Sequence, residues 1–134
     1  MKILIDTNIL ISAVLFPNSK IAKVVIYVSD FYEIVLTQQI IEEFRRIINK
    51  KFSSKIDCIE ELLNELDYEL LETNYLDKIK MRDPNDEPIL NAALSNDVDF
   101  ILTGDNDFLC LKISKPKCVN VNELIEILSI KIKA

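Results

Sequence analysis

Lys2-Ile3-Leu4-Ile5-Asp6-Thr7-Asn8 is the stretch from which the fold is read. A short apolar run that stops at a polar cluster marks a strand buried on both faces, the kind found in parallel sheets. The expected strand is Lys2–Asp6. Outward from it, Ser19 is placed to cap a helix to about Ser29, with Ile21, Val24, Val25 and Val28 on one face. Glu33–Leu36 reads as a second strand, Gln38–Lys50 and Ile56–Leu66 as helices, and Tyr68–Leu71 as a weak strand. Asp83-Pro84 opens a further helix, with Asp at the cap and Pro at the first helical position, running to about Asn96. Phe100–Thr103 is a strand ended by Gly104, Phe108–Leu111 a short turn or helix, Cys118–Val121 a last strand and Asn122–Ile130 a last helix. Strands and helices that alternate in this way predict a three-layer α/β/α fold with a mostly parallel sheet.

The chain has 134 residues, 49% of them hydrophobic, with one Gly and four scattered Pro. Nothing marks a boundary or linker, so residues 1–134 are expected to form a single domain. Asp6 breaks the apolar start too early for a signal peptide, and no apolar run is long enough to span a bilayer. Three cysteines without paired spacing, Cys58, Cys110 and Cys118, read as buried or free thiols in a reducing, cytoplasmic setting. There is no histidine, which excludes histidine catalysis and histidine-ligated zinc. The net charge of −6 disfavours a general polyanion binder. The charge is nevertheless segregated. Arg45, Arg46, Lys50, Lys51 and Lys55 form a basic stretch without an acid, and Asp57 to Asp77 carries eight acids without a base. The acidic stretch reads as a solvated helix face. The basic one reads equally as such a face or as a landing strip for a nucleic-acid backbone, through Arg45, Arg46, Lys50 and Lys51.

Placement matters more than number for the acids. Asp6 ends one expected strand and Asp105 follows another by one glycine. Both therefore lie at carboxyl ends of strands, the edge of a parallel sheet where ligands bind. Either one alone would be an ordinary turn or cap residue; two on one edge point to a site. On a helix starting at Pro84 the apolar face is Ile89, Leu90, Ala93 and Leu94, and Asp86 projects onto it while Glu87 and Asn91 project away. A carboxylate on an inward stripe is costly unless it is paired or metal-bound. On Gln38–Lys50 the stripe is Ile40, Ile41, Phe44, Ile47 and Ile48; Glu43 lies on its flank and Glu42 almost opposite. Asp107 reads equally as an added ligand or as the cap of the short helix that follows.

If Asp6, Glu43, Asp86 and Asp105 converge, their repulsion demands a cation. Ligation by hard oxygens alone suits Mg²⁺ or Mn²⁺ and disfavours zinc. Without histidine, the metal must activate the water and offset charge in the transition state, a chemistry suited to phosphodiester hydrolysis.

Four motifs in this order carry a family resemblance: Ile3-Leu4-Ile5-Asp6-Thr7-Asn8; Thr37 followed by Glu42-Glu43-Phe44; Asp83-Pro84-Asn85-Asp86 followed by Ile89 and Ala92-Ala93; and Leu102-Thr103-Gly104-Asp105-Asn106-Asp107-Phe108. Across essentially the whole chain the sequence resembles a PIN domain, similar to the toxin nucleases of toxin–antitoxin pairs. The resemblance implies a Mg²⁺- or Mn²⁺-dependent endoribonuclease acting on RNA. Asp6, Glu43, Asp86 and Asp105 match the family's acidic quartet, and Asp107 matches a less constant fifth acid. It places Asp6, Asp86, Asp105 and Asp107 at the metal, with Thr7, Asn8 and Thr103 as polar supports. It also implies a homodimer and a small antitoxin that reaches into the site.

Other classes fit less well. An aspartyl-phosphate phosphatase with Asp6 as nucleophile would carry a second Asp two residues on, where this chain has Asn8. A phosphorylated receiver-like domain clusters two acids directly after the first strand, and Asp6-Thr7-Asn8 supplies one. A structure-specific DNA nuclease of the same fold and a non-catalytic binding module are the remaining alternatives.

Overall fold

A computed structural model of the chain describes residues 1–72 and 81–132. Among the described residues, five strands form one sheet in the order β3-β2-β1-β4-β5, with β1 Lys2–Ile5, β2 Glu33–Thr37, β3 Glu69–Leu71, β4 Phe100–Leu102 and β5 Lys117–Val119. Every pairing is parallel, with Ile3 against Ile34 on one side of β1 and Leu4 against Ile101 on the other. Successive strand residues point to opposite faces. Ile3, Leu4 and Ile5 are all wholly buried, so both faces of the sheet are covered. This is the expected α/β/α architecture.

The helices are α1 Thr7–Leu15, α2 Lys20–Phe31, α3 Gln38–Lys51, α4 Ile56–Leu66, α5 Glu87–Ser95, α6 Asn106–Leu109 and α7 Val121–Leu128. Short polar side chains start several of them: Ser19 accepts from the Ala22 amide, Thr37 from the Ile40 amide, and Asn120 and Glu123 form a reciprocal capping box on α7. Among the described residues, no single helix is long and apolar enough to cross a membrane.

Helix α1 has no counterpart in the sequence reading. Thr7, Ile9, Leu10, Ile11, Ala13 and Val14 are all buried, so the helix is enclosed on most sides, with α2, α3 and α4 packed against it. A helix with so narrow a wet face shows little amphipathic period. The segment after Asp83 also differs: a 3-10 turn, Pro84–Asp86, precedes α5. Asn91, expected to project away from the core, is buried with Ile89, Leu90, Ala92 and Ala93, because α5 too is enclosed. The short helix α6 begins at Asn106 with Asp105 as its cap, so Asp107 lies in its first turn and is not the cap. The acidic stretch expected as a helix face is α4 up to Leu66, and Asp77 lies outside the described residues.

The sheet order puts β1 between β2 and β4, with the chain leaving β1 towards one side and reaching β4 on the other. At such a switch point the loops after two neighbouring strands diverge and leave a crevice at their carboxyl ends. Asp6 follows β1 there, and Thr103-Gly104-Asp105 follows β4.

Candidate functional site

Asp6 is buried at this crevice, and its backbone amide donates to the Leu102 carbonyl at 3.0 Å, extending the β1–β4 ladder by one step. Its side chain is held at both oxygens. Oδ1 accepts from the Thr7 amide at 2.8 Å and so caps α1; Oδ2 accepts from the Thr103 hydroxyl at 2.8 Å. Burial raises its pKa, the bonds from Thr103 and Thr7 oppose that, and the charge of Asp105 adds to the rise. Thr103, itself wholly buried, accepts from the Asp105 amide through the same hydroxyl oxygen at 3.0 Å. One threonine thus fixes two acids from neighbouring strands.

Asp105 accepts from the Asp107 amide at 2.9 Å and so orders the start of α6. Asp86 enters from a different part of the chain, in the 3-10 turn that Asp83 caps by accepting from the Asn85 amide at 3.0 Å. One carboxylate oxygen from each of Asp86, Asp105 and Asp107 lies within 4.8 Å of the others. Asp86 Oδ2 is buried without a hydrogen-bond partner. Its carboxyl is pushed up to about 6, first by burial and then by the charges of Asp105, Asp83, Asp6 and Asp107.

Glu43 is half-buried on α3 and faces a cleft of about 480 Å³ shared with Asp83 and Asp86. Burial raises its pKa, as does the charge of Asp6; Arg46 lowers it and Asp83 raises it. Glu42 also borders the cleft, but is exposed and accepts from Gln38 at 3.2 Å.

The structure therefore brings Asp86, Asp105 and Asp107 close together, ties Asp6 to Asp105 through Thr103, and sets Glu43 at the adjoining cleft. Thr7 meets Asp6 through its backbone amide, while its own buried hydroxyl has no partner. Asn8 is exposed in the first turn of α1. Of the basic stretch, Arg45 is paired with Glu60 on α4 at 2.8 Å, Arg46 lines the cleft, and Lys50 and Lys51 are exposed at the far end of α3.

Two residues went unnoticed in the sequence. Gln39 donates to the Asn85 carbonyl at 2.6 Å and braces α3 against the turn that carries Asp86. Arg82 lies 3.9 Å from Asp107. Neither bond leaves a local signal, since the partners are far apart in the chain; adjacency to Asp83 was the only clue to Arg82.

Three clustered carboxylates with one buried, unpartnered oxygen are electrostatically incomplete, and an oxygen-only donor set fits a hard divalent cation. The arrangement can hold such an ion beside a cleft open to a substrate.

The PIN domain family matches residues 2–107 of the chain. No curated protein matches it. Among solved structures it is similar to VapBC2 from Rickettsia felis bound to a DNA fragment from their promoter, with a TM-score of 0.67 and 13% identity, covering 90% of this chain and 98% of that one.

Proposed function

Because this chain belongs to the PIN domain family, whose members are nucleases, we propose that it is a divalent-metal-dependent endoribonuclease and the toxin of a toxin–antitoxin pair. The observation that supports this most is the carboxylate trio of Asp86, Asp105 and Asp107, with its unpartnered Asp86 oxygen beside the cleft. Asp6, Glu43, Asp86 and Asp105 are the proposed catalytic residues. Asp6, Asp86, Asp105 and Asp107 would hold Mg²⁺ or Mn²⁺. A bound divalent ion supplies Lewis acidity at a water and neutralises charge at the phosphoryl group.

The chain's own residues would do the rest. Thr103 holds Asp6 and Asp105 in place, so neither must reorganise when substrate arrives. Asp86, from another element, closes the acid cluster. Glu43, half-buried on the α3 side of the cleft, would accept a hydrogen bond, and then a proton, from the attacking water. Residues 1–134 would act as one nuclease unit in the cytoplasm, as a homodimer held in check by a small antitoxin protein.

The test is cleavage of single-stranded RNA by the purified protein with Mn²⁺ or Mg²⁺ against EDTA, beside Asp6→Asn, Asp86→Asn and Asp105→Asn. Metal-dependent cutting by the wild type, reduced at least about 100-fold in each variant, is expected. Equal cutting by wild type and all three variants would sink the reading.

A further inference from the structure

We infer that Arg46, on the α3 wall of the cleft, and Arg82, at the Asp107 edge of the acid cluster, hold the phosphates on either side of the one that is cut. The inference rests on the nuclease reading and adds where the RNA strand lies. A chain with net charge −6 and a carboxylate cluster at its centre repels a polyanion, so cations beside the cluster must hold the substrate.

The basic stretch of α3 supplies one of them. Arg45 is already engaged by Glu60 at 2.8 Å. Lys50 and Lys51 follow Glu43 by seven and eight residues, roughly 10 to 12 Å further along the helix axis. Arg46 follows Glu43 by three, on the same face, and is the one basic residue among the described residues lining the cleft. It is exposed, and its charge already acts on Glu43.

Arg82 comes from a separate element. Its side chain is 89% exposed and reaches Asp107 only at 3.9 Å. Such a loose, solvated pair holds its cation weakly. A divalent ion on the trio would weaken that pull further and leave the guanidinium to a phosphate, whose oxygens match the arginine fork. The segments that carry the two arginines are tied together. Gln39, on α3 with Arg46, is bonded to the Asn85 carbonyl three residues after Arg82. The strand would therefore cross the acid cluster from α3 towards α6 and leave the Lys50–Lys51 end of α3 uncovered.

The experiment is steady-state cleavage of a single-stranded RNA with Mn²⁺ at several salt concentrations, together with Mn²⁺ titration of each protein by calorimetry. Arg46→Ala and Arg82→Ala should each raise KM about tenfold with little change in kcat, and lower the salt slope of log KM by about 0.7. Arg46→Lys should restore the slope but only part of the KM. The Lys50→Ala/Lys51→Ala double variant should change KM less than about twofold. A loss in the lysine variant as large as that in the arginine variants would overturn the path. So would a Mn²⁺ affinity that falls by the same factor as KM rises, since the arginines would then act through the metal site. A wild type that cuts no RNA overturns the nuclease reading itself before any arginine variant is compared.

Discussion

Asp86 concentrates the chemistry of the site in one titration. Its carboxyl stands at about 6 in the folded protein against an ordinary 3.8, because burial and four neighbouring acids disfavour its charge. Its contribution to stability is therefore fully present below about 3.8 and lost as pH rises through about 6. In EDTA, the wild type should lose melting temperature relative to Asp86→Asn over that interval, and the variant should melt higher at pH 7.5. Melting curves by circular dichroism check this; a variant that melts lower at pH 7.5 would contradict it. The same shift sets proton against metal, so Mn²⁺ affinity should fall as pH drops through about 6. Thr103 makes a second residue-level case. Thr103→Val removes the donor to Asp6 and the acceptor for the Asp105 amide while keeping the volume. Cleavage should fall by about 10- to 100-fold, with kcat carrying the loss. Unchanged kcat would mean that the two acids hold their places without it.

At the scale of elements, α3 and α1 show what a sequence discloses. Helix α3 buries Ile40, Ile41, Phe44 and Ile48 and exposes much of the rest, so its period and the flank position of Glu43 were readable, whereas its Thr37 cap emerges from the structure. Thr37→Ala should cost about 1 kcal/mol, and Phe44→Ala about 3–5 kcal/mol, since Phe44 is wholly buried. Urea unfolding followed by circular dichroism measures both, and similar costs for the two would show that the Phe44 site collapses around the missing ring. Helix α1 is buried almost throughout, so hydrophobicity alone could not separate it from a strand or a loop. Enclosure explains Asn91 as well: a stripe argument assumes one wet face, and α5 has little of one. Asp105 and Asp107 show a finer limit. Either acid could have capped α6, and only the backbone path after β4 selects Asp105.

For the molecule as a whole, the acid cluster is a place where folding tolerates repulsion that a ligand can relieve. Binding to the native state alone stabilises it by mass action. Mn²⁺ at about 100 times its dissociation constant should add about 2.7 kcal/mol and raise the melting temperature. Asp86→Asn and Asp105→Asn should each lose most of that increment. Thermal scans with and without EDTA check this, and an equal metal-induced shift in wild type and both variants would place the ion elsewhere.

The sequence by itself determined the alternation of β and α, the apolar strands and the placing of Asp6 and Asp105 after two of them. All of these are local: period, composition and turn chemistry. It also marked Asp86 and Glu43, because an acid on or beside an apolar stripe is conspicuous in one dimension. Only the tertiary structure decided that Asp86, Asp105 and Asp107 form a close group, that Thr103 joins Asp6 to Asp105, that Gln39 braces the turn that carries Asp86, and that Arg45 faces Glu60 while Arg46 faces the cleft. Each of these joins residues from separate elements. Their distances follow from how parallel strands and enclosed helices pack, and no period in the chain records that.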